Sequence, residues 1–377
     1  MSLPIVRLAG SPYEQGSQHG TALRPAIEHN LRVYFDRFYR EGGVARADVL
    51  QRASRYARAI ATANENYFDG MRGIAAGSGF SLEEVTALNV RYEILYYQYA
   101  QKQMTAAGDG SLAVGDGSTA TRDGCTAFAL APQRTSNGHL VLGQNWDWIP
   151  DVKGALLYSA HTDGLQTVAF TEAGIFGGKI GLNSAGLGLA INGITTTSDD
   201  WQRLNKPFHV RCYEILLQQS LEDAAAVIND EARACSANFL IACAPDEALN
   251  LEAAPDAVNV MPWEQGCLVH TNHFVDPDGL EIEEPPDDLR RFSCLRRKRF
   301  QGFLEASPAI SIEQLQGHLR DHQNAPRSIC RHENPEAPID EQYRTVTSIV
   351  MDLHDRRLWA TNGPPCENAY LTTKLDE

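Results

Sequence analysis

A cysteine that follows glycine, in Arg122-Asp123-Gly124-Cys125-Thr126, has the chemistry to cut its own chain. The Cys125 thiol can attack the Gly124 carbonyl carbon and move the acyl group from nitrogen to sulfur. The resulting thioester hydrolyses far more readily than an amide. Glycine, lacking a Cβ, tolerates the strained backbone that the attack needs. Cleavage would divide the chain into residues 1–124 and 125–377 and give Cys125 a free α-amine. Such an amine titrates at about 7.7–8.0 in free peptides, so a useful fraction is neutral at physiological pH. It can then serve as general base for its own thiol. The competing reading of the same tripeptide is a turn followed by a strand cysteine packed in a core.

Three further segments carry groups that such a nucleophile would use. They are Gly143-Gln144-Asn145-Trp146-Asp147-Trp148, His270-Thr271-Asn272-His273-Phe274, and Arg344-Thr345-Val346-Thr347-Ser348-Ile349-Val350-Met351-Asp352. Together with DGCTAFAL, they resemble the acyl-coenzyme A:6-aminopenicillanate acyltransferase family of autoproteolytic N-terminal cysteine hydrolases. The resemblance runs from GSPYEQGSQHG near the start to GPPCENAY near the end. It implies an α+β chain with a four-layer αββα fold of the N-terminal nucleophile hydrolase type. It also implies cleavage before Cys125 and chemistry on amide or thioester bonds. Residues 1–124 would be a mainly helical segment released by the cut, and 125–377 would carry the catalytic core, the two forming one domain.

By the same resemblance Cys125 is the nucleophile and Asp147 holds its α-amine. Asn272 donates to the oxyanion, with Asn192 a looser candidate beside it. Arg344 lies near the cysteine and keeps the thiolate and Asp147 charged. The chemistry is sound on its own terms. A carboxylate near an N-terminal amine orients it and steadies its cationic form. One oxyanion donor is typically worth about 3 kcal/mol, and a nearby arginine lowers a thiol pKa. Each residue also has a plainer reading: Asp147 as a turn cap, Asn272 as a strand-end residue, Arg344 as an edge-strand arginine, Asn192 as a turn residue. Thr126, Trp146 and Trp148 are candidates for the substrate-pocket wall. The bile-salt hydrolase and penicillin V acylase branch resembles this fold, but has its cysteine close to the original N-terminus and an arginine three residues before the aspartate. Here that position is Gln144.

The elements that must position these groups follow from periodicity. Apolar residues recur at helical spacing over 27–39, 47–71 and 82–101,, with Ser81 and Glu84 forming a capping box. Residues 105–121 are small, polar and glycine-rich, and read as an exposed connector. After it come strand-like runs from CTAFAL to GLGLAIN, separated by turn residues, which read as an antiparallel meander. Helix is expected again over 209–229, 289–305 and 312–320. Short strands are expected over 236–242, 253–261, 345–353 and 357–361, with residues 1–10 as a further strand. Helices, strands, helices and strands in that order fit layered sheets covered by helices.

Composition sets the outer limits. The 377 residues are 43% hydrophobic and 21% charged, an ordinary globular make-up. Lys+Arg 33 against Asp+Glu 48 gives −15, which repels nucleic acid and anionic membranes. No apolar run is long enough for a membrane helix. The opening MSLPIVRLAGSPYEQG lacks the basic and apolar regions of a secretion signal, so a cytoplasmic location is expected. Among the eight cysteines no pair is a CxxC, which suggests neither a disulfide scaffold nor a zinc ribbon. His318 and His322, four apart on an expected helix, read as a solvated face, and His270 and His273 as strand-end packing. No metal or cofactor is expected. There is no phosphate-binding glycine motif or dense basic patch for coenzyme A. The expected partners are a small N-acyl amide substrate, the chain's own cleaved N-terminal segment and, as an open option, further copies in a homo-oligomer.

Overall fold

The computed structural model describes residues 3–96, 124–263, 265–285, 290–338 and 342–375. In chain order the first strands are β1 (Ile5–Ala9), β2 (Thr126–Leu130), β3 (Val141–Trp148), β4 (Gly154–Ala160), β5 (Gln166–Glu172), β6 (Ile180–Asn183) and β7 (Leu187–Gly193). They are followed by β8 (Ala237–Cys243), β9 (Glu247–Ala253), β10 (Val258–Met261), β11 (Cys267–His270), β12 (Arg344–Asp352), β13 (Arg357–Ala360) and β14 (Leu371–Lys374). One sheet runs β1-β4-β5-β6-β7-β8-β9-β10 and the other β11-β2-β3-β12-β13-β14. Pairing is antiparallel except for β1, which lies parallel to β4.

The expected meander is real but splits between the two sheets. The short link at 149–153 carries the chain from β3 in one sheet to β4 in the other. The reason is burial. All eight residues of β3 are buried, so both of its faces need cover. Ala127, Ala129 and Leu142 join the core between the sheets. Phe128, Leu130 and Val141 face the other way, against Phe300, Leu304, Leu315 and Leu319.

The helices are α1 (Pro12–Ala22), α2 (Arg24–Gly42), α3 (Arg46–Ala63), α4 (Glu65–Ser78), α5 (Leu82–Asn89), α6 (Phe208–Leu216), α7 (Leu221–Asn229), α8 (Arg290–Glu305) and α9 (Ile312–His318). α6 and α7 cover the outer face of the eight-stranded sheet, and α1 packs on β1 with the other N-terminal helices built upon it. α8 and α9 cover the six-stranded sheet. The layering is therefore αββα.

Several boundaries differ from the periodic reading. The run at 47–71 is broken at Asn64, whose extended backbone and side chain cap α4 by accepting from Tyr67 N. The run at 209–229 is broken before Ser220, which caps α7. The single strand expected over 253–261 is instead the last residue of β9, a turn, and β10 (Val258–Met261). The Ser81–Glu84 capping box is present. The connector at 105–121 and the end of the 82–101 run lie outside the described residues.

α1 and α4 approach closely because of glycine. A Cβ on Gly16 would lie 2.0 Å from Gly70 O, and one on Gly73 would lie 2.1 Å from Tyr13 O. Polar contacts then tie the helical segment to the sheets. Asn30 Nδ2 donates to Lys153 O and Ala173 O at 2.9 and 3.0 Å. Asn89 Nδ2 donates to Gly174 O, and Tyr92 Oη to Ser236 O.

Candidate active site

The β2–β3 register pairs Thr126 with Asn145 and Ala127 with Gln144. It brings the residue before β2 beside the end of β3, so Cys125 and Asp147 become neighbours. The Cys125 thiol donates to Asp147 O at 3.7 Å and is 1% exposed. Its side chain joins the inter-sheet core with Ala127 and Trp146. Asp147 shares the opposite face of β3 with Asn145, whose Nδ2 donates to Leu319 O and Ile329 O at 2.9 and 2.8 Å.

The Asp147 carboxylate is fully buried. Oδ1 accepts from Thr345 Oγ1 at 2.7 Å. Oδ2 has no hydrogen-bond partner among the described residues. Gly124 sits directly before that oxygen: a Cβ there would lie 2.5 Å from Asp147 Oδ2 and 2.7 Å from Arg331 Nη1. The residue ahead of Cys125 is thus glycine for want of space. Burial raises the Asp147 carboxyl to about 7 even against the lowering pull of the Arg331 charge, the Thr345 hydrogen bond and the Arg296 charge,.

The arginine beside Asp147 is Arg331, not Arg344. Arg331 is buried. Its backbone N–H donates to Thr345 Oγ1 at 2.9 Å, and its carbonyl accepts from Thr345 N at 3.0 Å. One threonine hydroxyl therefore links Arg331 to Asp147. Arg344, next along β12, turns its guanidinium to Glu333 at 3.0 Å and Glu367 at 3.5 Å.

Asn272 follows β11 and is clamped by α8. Its backbone N–H donates to Ser293 Oγ at 2.7 Å, and its Oδ1 accepts from Arg296 Nη2 at 2.9 Å. Ser293 and Arg296, three apart, share one helix face. Asn272 Nδ2 donates to Gly193 O at 3.0 Å, which sets the two asparagine candidates on adjoining segments. Asn192 Oδ1 meets His270 Nδ1 and Asn238 Nδ2, both at 3.2 Å. His270 Nε2 in turn meets Glu252 Oε1 at 2.8 Å. With its oxygen so engaged, Asn192 leaves its buried Nδ2 without a partner among the described residues.

Trp146 and Trp148 stack with ring centroids 6.1 Å apart. The Lys179 ammonium lies 3.2 Å from the Trp146 ring centre and 2.5 Å from Glu172 Oε1. Glu172 also binds Arg91 and Tyr34. Burial pushes the Lys179 ammonium down, and its field reaches the Cys125 sulfur. Trp148 Nε1 donates to Tyr34 Oη at 2.7 Å, so this tryptophan anchors the helical segment. Thr126 is buried, with its hydroxyl unpartnered among the described residues.

A buried cysteine, a buried carboxyl and an arginine thus meet around one Gly–Cys junction. The family model for acyl-coenzyme A:6-aminopenicillanic acid acyl-transferase matches residues 133–366. The chain belongs to this family. A curated relative, the acyl-coenzyme A:6-aminopenicillanic-acid-acyltransferase 40 kDa form of Emericella nidulans, is 27% identical over 370 residues, covering 96% of this chain and 92% of its own. Among solved structures, a Caenorhabditis elegans ortholog of N-acylethanolamine-hydrolyzing acid amidase aligns at TM-score 0.44 and 16% identity, over 61% of this chain and 93% of that one. A variant of the conjugated bile acid hydrolase from Clostridium perfringens aligns at TM-score 0.45 and 12% identity, over 67% and 97%.

In this acyl-transferase family member Gln144 has a structural task. Its Oε1 accepts from Ile191 N at 2.7 Å and its Nε2 donates to Ile191 O at 3.1 Å, bridging the two sheets. His273 Nδ1 lies 2.7 Å from Ser293 Oγ, and His318 stacks on Phe303 at 4.5 Å. Among the described residues, no helix is long and apolar enough to cross a membrane. Arg331, Arg296, Lys179 and Glu252 escaped the sequence reading. Thr345 and His270 lay inside segments that it singled out.

Proposed function

We propose that the chain cuts itself before Cys125 and then acts as an N-terminal cysteine amidohydrolase or acyltransferase on a small N-acyl amide. The observation that carries this reading is the buried, unpartnered Asp147 Oδ2 against the Gly124–Cys125 junction, with Arg331 beside it. A buried carboxylate oxygen without a partner is costly. A freed Cys125 α-ammonium at that spot supplies both a donor and a countercharge. The site thus suits the product of cleavage better than the intact peptide.

In the activating step the sulfur bonds to the Gly124 carbonyl carbon, the C–N bond breaks, and the nitrogen keeps the thiol proton. Water then hydrolyses the thioester, leaving a Gly124 carboxylate, a free Cys125 thiol and its amine. In turnover the α-amine takes the thiol proton and the thiolate adds to the substrate carbonyl. The oxyanion meets amide N–H donors, for which Asn192 and Asn272 are the candidates. The leaving amine departs with the proton, and water or a second amine resolves the thioacyl enzyme. Asp147 holds the α-ammonium. Arg331 keeps Asp147 charged, the part that the sequence had assigned to Arg344. Residues 3–96 stay docked through the shared core after the cut.

Water is in excess, so hydrolysis is the first expectation. The fungal relative's name supports acyl transfer as the alternative outcome of the same thioacyl intermediate. Intact mass spectrometry tests the reading. Wild type should give two fragments meeting at Gly124/Cys125, and Cys125→Ala a single chain. A panel of N-acyl amides with hydroxylamine as competing acceptor should then yield hydroxamates. A wild-type chain that turns over while still uncut would overturn the proposal.

A further inference from the structure

Away from the Gly–Cys junction, two histidines and two cysteines converge where the loop after α9 meets the segment after β13. His322 Nε2 is 3.2 Å from His332 Nε2. His332 Nε2 is 3.2 Å from Cys366 Sγ and 3.8 Å from Cys330 Sγ, and the sulfurs are 3.5 Å apart. All four atoms lie within 4.8 Å of one another. Zinc bound at about 2.3 Å to sulfur and about 2.0–2.1 Å to nitrogen sets tetrahedral ligand atoms roughly 3.3–3.8 Å apart. Pair by pair the tetrahedron sets nitrogens about 3.3 Å apart, nitrogen and sulfur about 3.6 Å and sulfurs about 3.8 Å, and the four separations above lie within roughly 0.4 Å of those values.

The donor set points the same way. Two thiols and two imidazoles are ligands that suit zinc, and four protein ligands close the tetrahedron with no open position. The backbone holds the ligand-bearing segments together independently. Cys330 N donates to Asp321 O at 2.9 Å, and Arg320 Nε donates to Pro365 O at 3.0 Å. His332 Nδ1 lies 3.4 Å from Glu367 Oε1, the carboxylate support that zinc-bound histidines commonly have. A disulfide between the cysteines would need their sulfurs at about 2.0 Å and would give the two imidazoles no reason to meet.

We propose that His322, Cys330, His332 and Cys366 bind one zinc ion as a closed structural site. Binding releases one proton from each thiol to solvent, and the two thiolates neutralise the dication. His322 and Cys366 are exposed, so the ion reaches the site from solvent. Cys330 and His332 flank Arg331, so the metal fixes the stretch of backbone that sets Arg331 against Asp147. The sequence reading separated these ligands: His322 was paired with His318, and the cysteines, with no CxxC among them, suggested no zinc ribbon.

The test uses the full chain, purified without a histidine tag and with its thiols kept reduced. Native mass spectrometry and elemental analysis should find one zinc per chain. Replacement by cobalt should give the thiolate-to-cobalt charge-transfer band and the intense visible bands of a tetrahedral ion. Cys366→Ser and His322→Ala change side chains at the surface. Each should lower zinc affinity by at least about tenfold to a hundredfold while far-ultraviolet circular dichroism is unchanged. A wild-type chain that takes up no zinc after reconstitution would overturn the site. So would variants that bind zinc as tightly as wild type, or peptide mapping that finds Cys330 and Cys366 joined as a disulfide in the freshly isolated protein.

Discussion

In the uncut chain Asp147 should keep its proton through the neutral range, and this can be read as stability. Its carboxyl moves from an ordinary 3.8 to about 7 in the folded chain, chiefly through burial. The unfolded chain ionises this group near pH 4, whereas the folded chain holds the proton until about 7. Between those values the folded state binds more protons, so stability falls as pH rises and levels off above 7. The slope is about 1.4 kcal/mol per pH unit, roughly 4 kcal/mol across the window. Cys125→Ala supplies a chain that cannot cut itself, and adding Asp147→Asn removes the titration while leaving an oxygen for Thr345. Urea unfolding of both proteins between about pH 4.5 and about pH 8 should show the asparagine form gaining with pH until about 7, then holding a constant lead. Glu93, raised to about 7, and Asp199, raised to about 6, titrate in both proteins and cancel. Two stability curves that run parallel across the range would refute the reasoning.

Three further outcomes follow from the geometry. Arg331→Gln should lower kcat/KM by about tenfold to a hundredfold, the effect of roughly 1.4–2.7 kcal/mol, while Arg344→Gln, which loses only half-exposed pairs with Glu333 and Glu367, should change it by less than about fivefold; steady-state kinetics on one amide decides. Gly124→Ala would drive a Cβ to 2.5 Å from Asp147 Oδ2, so the junction must shift, and a gel time course should show the cut slowed by roughly tenfold or more. Gly16→Ala would press on Gly70 O at 2.0 Å and should cost about 1–3 kcal/mol in urea unfolding.

What could be read in advance divides along physical lines. The segments of Cys125 and Asp147 stood out through their resemblance to a known family, and their meeting follows from the short β2–β3 hairpin that joins them. The strands from β2 to β7 announced themselves through turn residues at regular intervals. β9 did not: its sequence EALNLEA favours helix, yet it lies between β8 and β10, and neighbouring strands override a weak preference. β11, four residues long, is too short to show a period. Arg331 carries no local mark that separates it from the other arginines. Its place beside Asp147 is made by backbone pairing with Thr345, a contact that only the folded chain creates. Arg344 was assigned through the family resemblance of its segment, but adjacent residues on a strand face opposite ways, and Thr345 took the inward position.

Residues on both sides of Cys125 belong to one apolar core, with Ile27, Tyr34 and Met71 in the same cluster as Leu142, Trp148 and Leu189. Severing the chain at Gly124 would remove a covalent tie but none of those contacts. The working enzyme would then be a pair of molecules that once folded as one. After denaturation its halves must meet again by diffusion, so recovery should depend on protein concentration, whereas recovery of the uncut Cys125→Ala chain should not. The lifetime of the mature form is then governed by how fast it comes apart rather than by an equilibrium it can regain.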